Sequence, residues 1–524
     1  VVILLLACVT TEDSAPVVEA IPQMDVSSAL VRASLDLRGV RPSPAEIAQV
    51  EADPAAYDTL VATFLEDERF AGRVRDMWSE IYLTRAPSIY VAASSFGLTD
   101  EAQFQRSTGE EALQILGYVA ANDLPWTEIV TGDWTMADET LAEIWPIERP
   151  AGDGWQRSTY TDGRPAAGVL ATNSMWWRYS STSSNANRKR ANTTSRVLLC
   201  NDYLVRPLEL DRNINLLDED AVADAITNNP SCANCHNSLD PMASYFFGFW
   251  WYDPSNTLEI VRYFPDREGR WSDYTGVQPA YYGEAGYNLG DLGQQIAGDH
   301  RFPACAVQQT FELLLRRDVS LDDTDTLAHH RDAFINGGLT MKALMTSIVH
   351  DPRYLAGATD DIGYVPTKMM TPDLMATAIE GLTGYSWTYY GYDLLRNDTV
   401  GYRTLAGGAD GYSVTSTSTT PNATIALVQE RLAEAAAWHV VTNEPARLFT
   451  VDFAATPETD RAAMAAQLQS LHLAVFGRTV AADSDEIAAG LALWSDLYAV
   501  EHDGADAWAG VLSILLRDPD FLLY

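Results

Sequence analysis

The sequence predicts a mainly α-helical fold with little β-structure, in which multi-helical modules surround one central cysteine–histidine segment. Three observations predict it. Helix-start signals recur: Ser43-Pro44-Ala45-Glu46 is a capping box with proline at the first helical position, and Asp53-Pro54 opens the next helix in the same way. Apolar residues fall at helical spacing, as in Phe70, Val74, Trp78 and Ile81. A weak internal repeat, made of a helix, an Arg-centred turn, a second helix and an aspartate-marked end, runs over 30–70, 308–355 and 468–524. Its turns are Leu37-Arg38-Gly39, Leu315-Arg316-Arg317 and Phe476-Gly477-Arg478. Its ends are Asp67-Glu68-Arg69-Phe70, Asp351-Pro352-Arg353-Tyr354 and Asp518-Pro519-Asp520-Phe521. Repeated units of this kind signify repeated packing.

With 524 residues the chain has room for about three domains. The composition divides it further, into 1–25, 26–145, 146–300, 301–360 and 361–524. The net charge is −37, from 35 basic and 72 acidic residues, and this field repels nucleic acid and anionic lipid headgroups. No later stretch has the ~20 apolar residues of a membrane span. The first segment has no initiator Met and no basic flank and reads as a truncated leader. Leu5-Leu6-Ala7-Cys8 resembles a bacterial lipobox, in which Cys8 carries lipid. Residues 9–23, small, polar and Pro-containing, then form a tether. This predicts export to the periplasm or cell surface, with membrane contact through a lipid anchor only. The alternative is an apolar strand ending in a buried cysteine.

Segment 26–145 carries the first repeat. Segment 146–300 holds Cys232-Ala233-Asn234-Cys235-His236, the Cys-x-x-Cys-His pattern of c-type haem attachment. On one helical turn, thiols at i and i+3 reach the same side, where each can form a thioether, and the next residue offers an imidazole to iron. A zinc corner would need a second ligand pair nearby, and a redox dithiol would need a βαβ setting; the sequence shows neither. One covalent haem c is therefore expected on Cys232, Cys235 and His236, with His236 as iron ligand. With lipid on Cys8 and haem on Cys232 and Cys235, one pairing is left, Cys200–Cys305, which closes a loop around the motif. Two separate buried thiols are the alternative. The run Tyr245-Phe246-Phe247-Gly248-Phe249-Trp250-Trp251-Tyr252 reads as an apolar wall for a porphyrin or as ordinary core. Arg262, Arg267 and Arg270 are candidate propionate partners or surface residues.

Several blocks are similar to the planctomycete-type cytochrome-associated proteins, which are secreted, multi-domain and mostly of unassigned activity. Leu35-Asp36-Leu37-Arg38-Gly39-Val40-Arg41-Pro42 resembles their Asp-Leu-x-Gly-x-x-Pro turn, and Asp67 to Trp78 fits the helix that follows. Asp133-Trp134-Thr135-Met136-Ala137-Asp138-Glu139-Thr140-Leu141-Ala142 resembles a second block. Gly168-Val169-Leu170, with residues 181–196 and Cys200, resembles the segment before their haem motif. The tail Asp240-Pro241 matches their Cys-x-x-Cys-His-x-x-x-Asp-Pro, although Ala243 stands where they usually carry Gly. The resemblance covers about 30–355.

Beyond the third segment, 301–360 carries the second repeat. In 361–524, the stretch 366–372 marks a boundary, 385–420 is a long Gly/Tyr-rich loop region, and 425–441 and 459–498 are helical and Ala-rich. Ala406-Gly407-Gly408-Ala409-Asp410-Gly411 lacks the Lys-Ser/Thr of a phosphate loop and reads as a turn. Asp211-x-Asn213-x-Asn215 lacks the glycine and closing Glu of a calcium loop. For the sixth iron position the candidates are Met175, His300, Met341, Met345 and His350. His329-His330 lies in an acidic stretch that reads as exposed, and Met242 is too close to His236 to reach the opposite face. A bound sixth ligand implies electron transfer with a redox partner protein. An open position implies an enzyme acting on peroxide or a small substrate, and a purely structural haem implies a surface-anchored scaffold.

Overall fold

In the computed structural model, residues 21–85, 91–205, 214–215, 217–251, 259, 262–357 and 367–524 are described. The chain is mainly helical, with 61% helix against 5% strand, so packing between helices decides the architecture. The opening helix, Val26–Arg38, is capped by the Asp25 side chain and ends at Gly39, which adopts a left-handed φ of 76°. Ser43 and Glu46 form the expected capping box at the start of Pro44–Ala52. Ala56–Leu65 begins just after Asp53-Pro54, and Phe70–Tyr82 buries Phe70, Val74 and Trp78. Against the last lies Glu101–Ala121. Gly117 permits that approach, since a Cβ there would stand 2.8 Å from the Ala71 carbonyl oxygen.

The strands are short. Gln156–Tyr160 pairs antiparallel with Thr135–Ala137 on one side and Ile147–Glu148 on the other, and two small hairpins lie at Ala280–Ala285 and Thr388–Asp393. The long loop region 385–420 contains the second of these hairpins and the short helix Tyr402–Leu405. The helical, Ala-rich stretch 459–498 is divided between two helices, Pro457–Phe476 and Asp485–Glu501. Gly477, at φ 69°, closes the first.

The three repeats share packing. Each turn contains one left-handed residue, Gly39, Arg316 or Gly477, and each repeat ends on a buried ring, Phe70, Tyr354 or Phe521. In the first, Arg38 holds Glu46 through two hydrogen bonds of 3.0 and 2.7 Å; in the second, Arg317 holds Asp323 at 2.7 and 2.8 Å. A contiguous apolar core runs from Ala29 to Leu522, across all the predicted segments after the first. At its centre Asp36 accepts from Tyr354 (2.7 Å), from Tyr524 (2.8 Å) and from Lys368, tying the first helix to the end of the second repeat and to the chain's last residue. Lys368 and Tyr524 also exchange backbone hydrogen bonds of 2.8 and 2.9 Å.

Candidate cofactor site

The Cys-x-x-Cys-His segment lies in the helix Pro230–Ala243. Asn229 caps it by accepting from the Ser231 N–H, and Pro230 occupies the first helical position. Helical geometry therefore places Cys232 and Cys235 one turn apart; Cys232 is partly exposed and Cys235 is buried. His236 is set by a carboxylate one further turn along. Its Nδ1 is 2.9 Å from Asp240 Oδ1, and the same carboxylate accepts from Arg188 Nε at 2.7 Å and Nη2 at 3.0 Å. Burial acts to raise the Asp240 pKa, but the hydrogen bonds from His236 and Arg188 outweigh it and hold the carboxyl below its usual range. An ionised Asp240 can only accept, so Nδ1–H is the donor, and Nε2 carries no hydrogen bond among the described residues.

Arg188 comes from the helix Arg188–Leu199, which packs on the motif helix. That helix ends at Cys200, which forms a disulfide with Cys305 of Arg301–Leu315, the two Cα atoms 5.3 Å apart. Gln309 Nε2 donates to the Val197 carbonyl at 2.9 Å across the same junction. The floor under the cysteines is braced by Tyr203, whose Oη is 2.8 Å from Ser238 Oγ, and by Ser238 Oγ, which donates to the Cys235 carbonyl at 3.2 Å.

The aromatic run that follows turns into the protein. Phe246 meets Trp176 edge-on at 4.7 Å, Phe249 meets Tyr263 at 4.9 Å, and Phe247 stacks on Trp250 at 4.9 Å. Its rings are core beneath the motif helix, and Tyr252 lies outside the described residues. Two of the three candidate propionate arginines are engaged elsewhere. Arg267 is buried, pairs with Glu259 at 2.5 Å and donates to the Trp250 carbonyl at 2.7 Å; Arg270 pairs with Asp273 at 3.0 Å. Arg262 is exposed.

The five candidate sixth ligands are dispersed. Met175, Met341 and Met345 are buried in the core, with Thr310 Oγ1 3.7 Å from Met341 Sδ. His300 is 93% exposed beside Asp299. His350 binds the Thr346 carbonyl through Nδ1 (2.7 Å) and Asp58 through Nε2 (3.1 Å). None lies on Glu219–Asn228, Arg188–Leu199, Ser244–Phe249 or Ala280–Tyr281, the elements packed most closely on the motif helix. His330, expected to be exposed, is fully buried and bonds Ser347 at 2.8 Å, because Thr326, His330 and Phe334 share the inward face of Thr324–Asn336. Cys8, the tether up to residue 20 and Asp211 to Asn213 lie outside the described residues.

Sequence reading missed Arg190. It is fully buried, donates through Nη1 to Asn187 Oδ1 (2.8 Å) and the Phe249 carbonyl (3.2 Å), and leaves Nε and Nη2 without partners. Burial pushes its pKa down to about 9. Two residues beyond Arg188, it points about 200° around the helix, away from His236. Its only sequence signal was the Arg188-Lys189-Arg190 run. Among the described residues, no group of three or more His, Cys, Asp or Glu side chains is disposed to hold a metal ion, and no helix is long and apolar enough to cross a membrane. Attachment through two thioethers and one imidazole does not need such a group. No protein family, curated protein or solved structure matches the chain.

Proposed function

We propose that this chain is a mono-haem c-type cytochrome-like lipoprotein that passes electrons to or from a redox partner outside the cytoplasm. The observation that carries the reading is His236: its Nδ1 is committed to an ionised carboxylate, which orients the ring and strengthens Nε2 as a donor to iron. The donor set fits the group. Two thiols stand one helical turn apart, and a ring with an open Nε2 follows in sequence. Cys232 and Cys235 would hold haem c covalently and His236 would supply its proximal ligand. When bound, a haem of this kind supplies one-electron exchange at iron. The chain's own work is to fix the imidazole through Asp240 and Arg188, and to brace the helix through Cys200–Cys305. The likeness of residues 30–355 to the planctomycete-type cytochrome-associated proteins supports the same reading, as does the lipobox-like Leu5-Leu6-Ala7-Cys8 for anchoring.

The test is expression in a host competent for cytochrome c maturation, followed by acid–acetone extraction and a pyridine haemochrome spectrum. Haem should stay with the wild-type chain and be lost from a Cys232→Ala, Cys235→Ala double variant. Retention by the double variant would sink the proposal. A second reading, an open-site haem enzyme acting on peroxide or a small substrate, is favoured by one observation: none of the five candidate sixth ligands lies on the elements packed most closely on the motif helix. A high-spin ferric spectrum that shifts with cyanide would select it, and a six-coordinate low-spin spectrum in both redox states would reject it.

A further inference from the structure

A cleft of about 890 Å³ opens between helices Phe70–Tyr82 and Glu101–Ala121 and the Thr388–Asp393 hairpin. The size suits a small organic ligand. Its walls come from three stretches distant in sequence, and one of them is the Gly/Tyr-rich loop region. Six arginines and six carboxylates line it, so the cleft is locally balanced in a chain whose net charge is −37.

The balance is uneven in what it leaves open. The carboxylates are largely consumed. Asp76 accepts from Arg85 at 2.9 Å, Arg85 also holds Glu110, Asp393 takes Arg396 at 2.7 Å, and Asp138 is held by Ser107 and by Gln103 at 3.1 Å. Three arginines keep unused N–H groups. Arg73 is 5% exposed and its Nη1 has no hydrogen-bond partner; the Asp76 carboxylate stands 3.8 Å away. Arg75 Nε is buried without a partner, and Glu110 is 3.5 Å from its Nη1. Arg106 binds only the Gly391 carbonyl (2.7 Å) and Gln103 Oε1 (2.7 Å), with no carboxylate in reach among the described residues. One buried acceptor, Gln105 Oε1, has no hydrogen-bond partner, and another, Glu110 Oε2, meets only Arg75 Nη1 at 3.5 Å. Buried groups of both kinds cost free energy when unmatched, and more when charged.

We propose that this cleft binds a small organic anion that carries hydroxyl donors as well as a carboxylate. The carboxylate would take the open N–H groups of Arg73, Arg75 and Arg106, and the hydroxyls would donate to Glu110 and Gln105. Tyr392 and Trp155 would supply the flat apolar faces at its sides. The site is independent of the haem reading, because none of the residues lining it belongs to the motif helix or to the elements packed most closely on it.

The experiment is isothermal titration calorimetry on the full chain with three probes: sodium D-gluconate, its uncharged counterpart sorbitol, and sodium sulfate. Gluconate should bind, and sorbitol and sulfate should bind at least tenfold more weakly. Arg106→Gln should weaken gluconate binding about tenfold without changing thermal unfolding, since Arg106 is exposed. Arg73→Lys should weaken it at least as much. If Arg73→Lys does not fold, Arg106→Gln still decides. No heat from gluconate at about 10 mM would overturn the proposal. So would binding of sorbitol or sulfate as strong as that of gluconate, or unchanged affinity in Arg106→Gln.

Discussion

Asp240→Asn tests the site at the bond that defines it. Asp240 accepts three hydrogen bonds, one from His236 at 2.9 Å and two from Arg188 at 2.7 and 3.0 Å. The side chains involved are 13%, 24% and 26% exposed, so solvent screening takes little from them. An amide keeps the shape and can still accept from His236, but it loses the charge, which roughly halves each bond's strength. The expected loss of folding stability at pH 7 is about 2–3 kcal/mol. The Asp240 pKa is depressed in the folded chain, so its contribution is present above the unfolded value near 3.9 and is lost as pH falls through the depressed value. The gap between wild type and variant should therefore close below about pH 4. In the haem-loaded protein, a neutral Nδ1 partner makes the imidazole a weaker donor and favours ferrous iron. About 1 kcal/mol of that difference corresponds to a rise of about 40 mV in midpoint potential. Arg188→Gln should act in the opposite direction, because an unshared carboxylate bonds His236 more strongly. Spectroelectrochemical titration of both variants is the assay. Equal shifts of the same sign, or no shift in either, would refute the role given to Asp240.

Other expectations follow from the scaffold. Replacing Cys200 and Cys305 by Ser removes a cross-link spanning 105 residues and should lower unfolding free energy in guanidinium by about 4–5 kcal/mol; a loss below about 1 kcal/mol would show that the disulfide is not what braces the motif helix. Burial lowers the Lys368 pKa to about 7 against the pull of Asp36, so between about pH 7 and 10 the unfolded chain binds the extra proton and stability should rise with pH. In Lys368→Met that rise should be reduced relative to wild type, and identical pH–stability curves would contradict the assignment. Asp36→Ala, by contrast, leaves Lys368 buried without its carboxylate and should cost about 3–5 kcal/mol by denaturant melts, with near-neutral behaviour ruling against Asp36 as the central tie.

Elements with a local chemical cause were legible in the sequence. The Ser43 capping box, the buried Phe70, Val74 and Trp78, the disulfide-bonded pair and the three repeated turns all follow from contacts within a few residues or from counting cysteines. What was not legible depends on partners that no local pattern names. His330 sits in an acidic stretch, yet the helical period turns it inward onto Ser347. Arg267 reads as one of three similar arginines until Glu259 and the Trp250 carbonyl claim it. Asp36 stands out only as part of a family-like turn, and its role appears once Tyr354, Lys368 and Tyr524 converge on it from more than 300 residues away. The cleft was invisible for the same reason, since no linear pattern links Arg73, Arg106 and Tyr392.

Two buried arginines show why an unpaired charge does not by itself mark a site. Most buried guanidiniums in this chain are spoken for: Arg38 by Glu46, Arg85 by Asp76 and Asp373, Arg316 by Glu80, Arg403 by Asp373. Arg190 departs from that pattern, with no carboxylate in reach among the described residues, and Arg73 meets its carboxylate, Asp76, only at 3.8 Å; both leave nitrogen atoms without a hydrogen-bond partner. Arg190 lies against Phe249 and a backbone carbonyl inside packed protein. Its cost is carried by the ring and by Asn187. Arg73 borders about 890 Å³ of open space, shared with two other arginines that have N–H groups to spare and with Gln105, whose Oε1 has none to receive. The pairing of an incompletely met charge with a volume that could meet it is what separates a binding site from a tolerated imperfection, and at Arg73 the cleft supplies both.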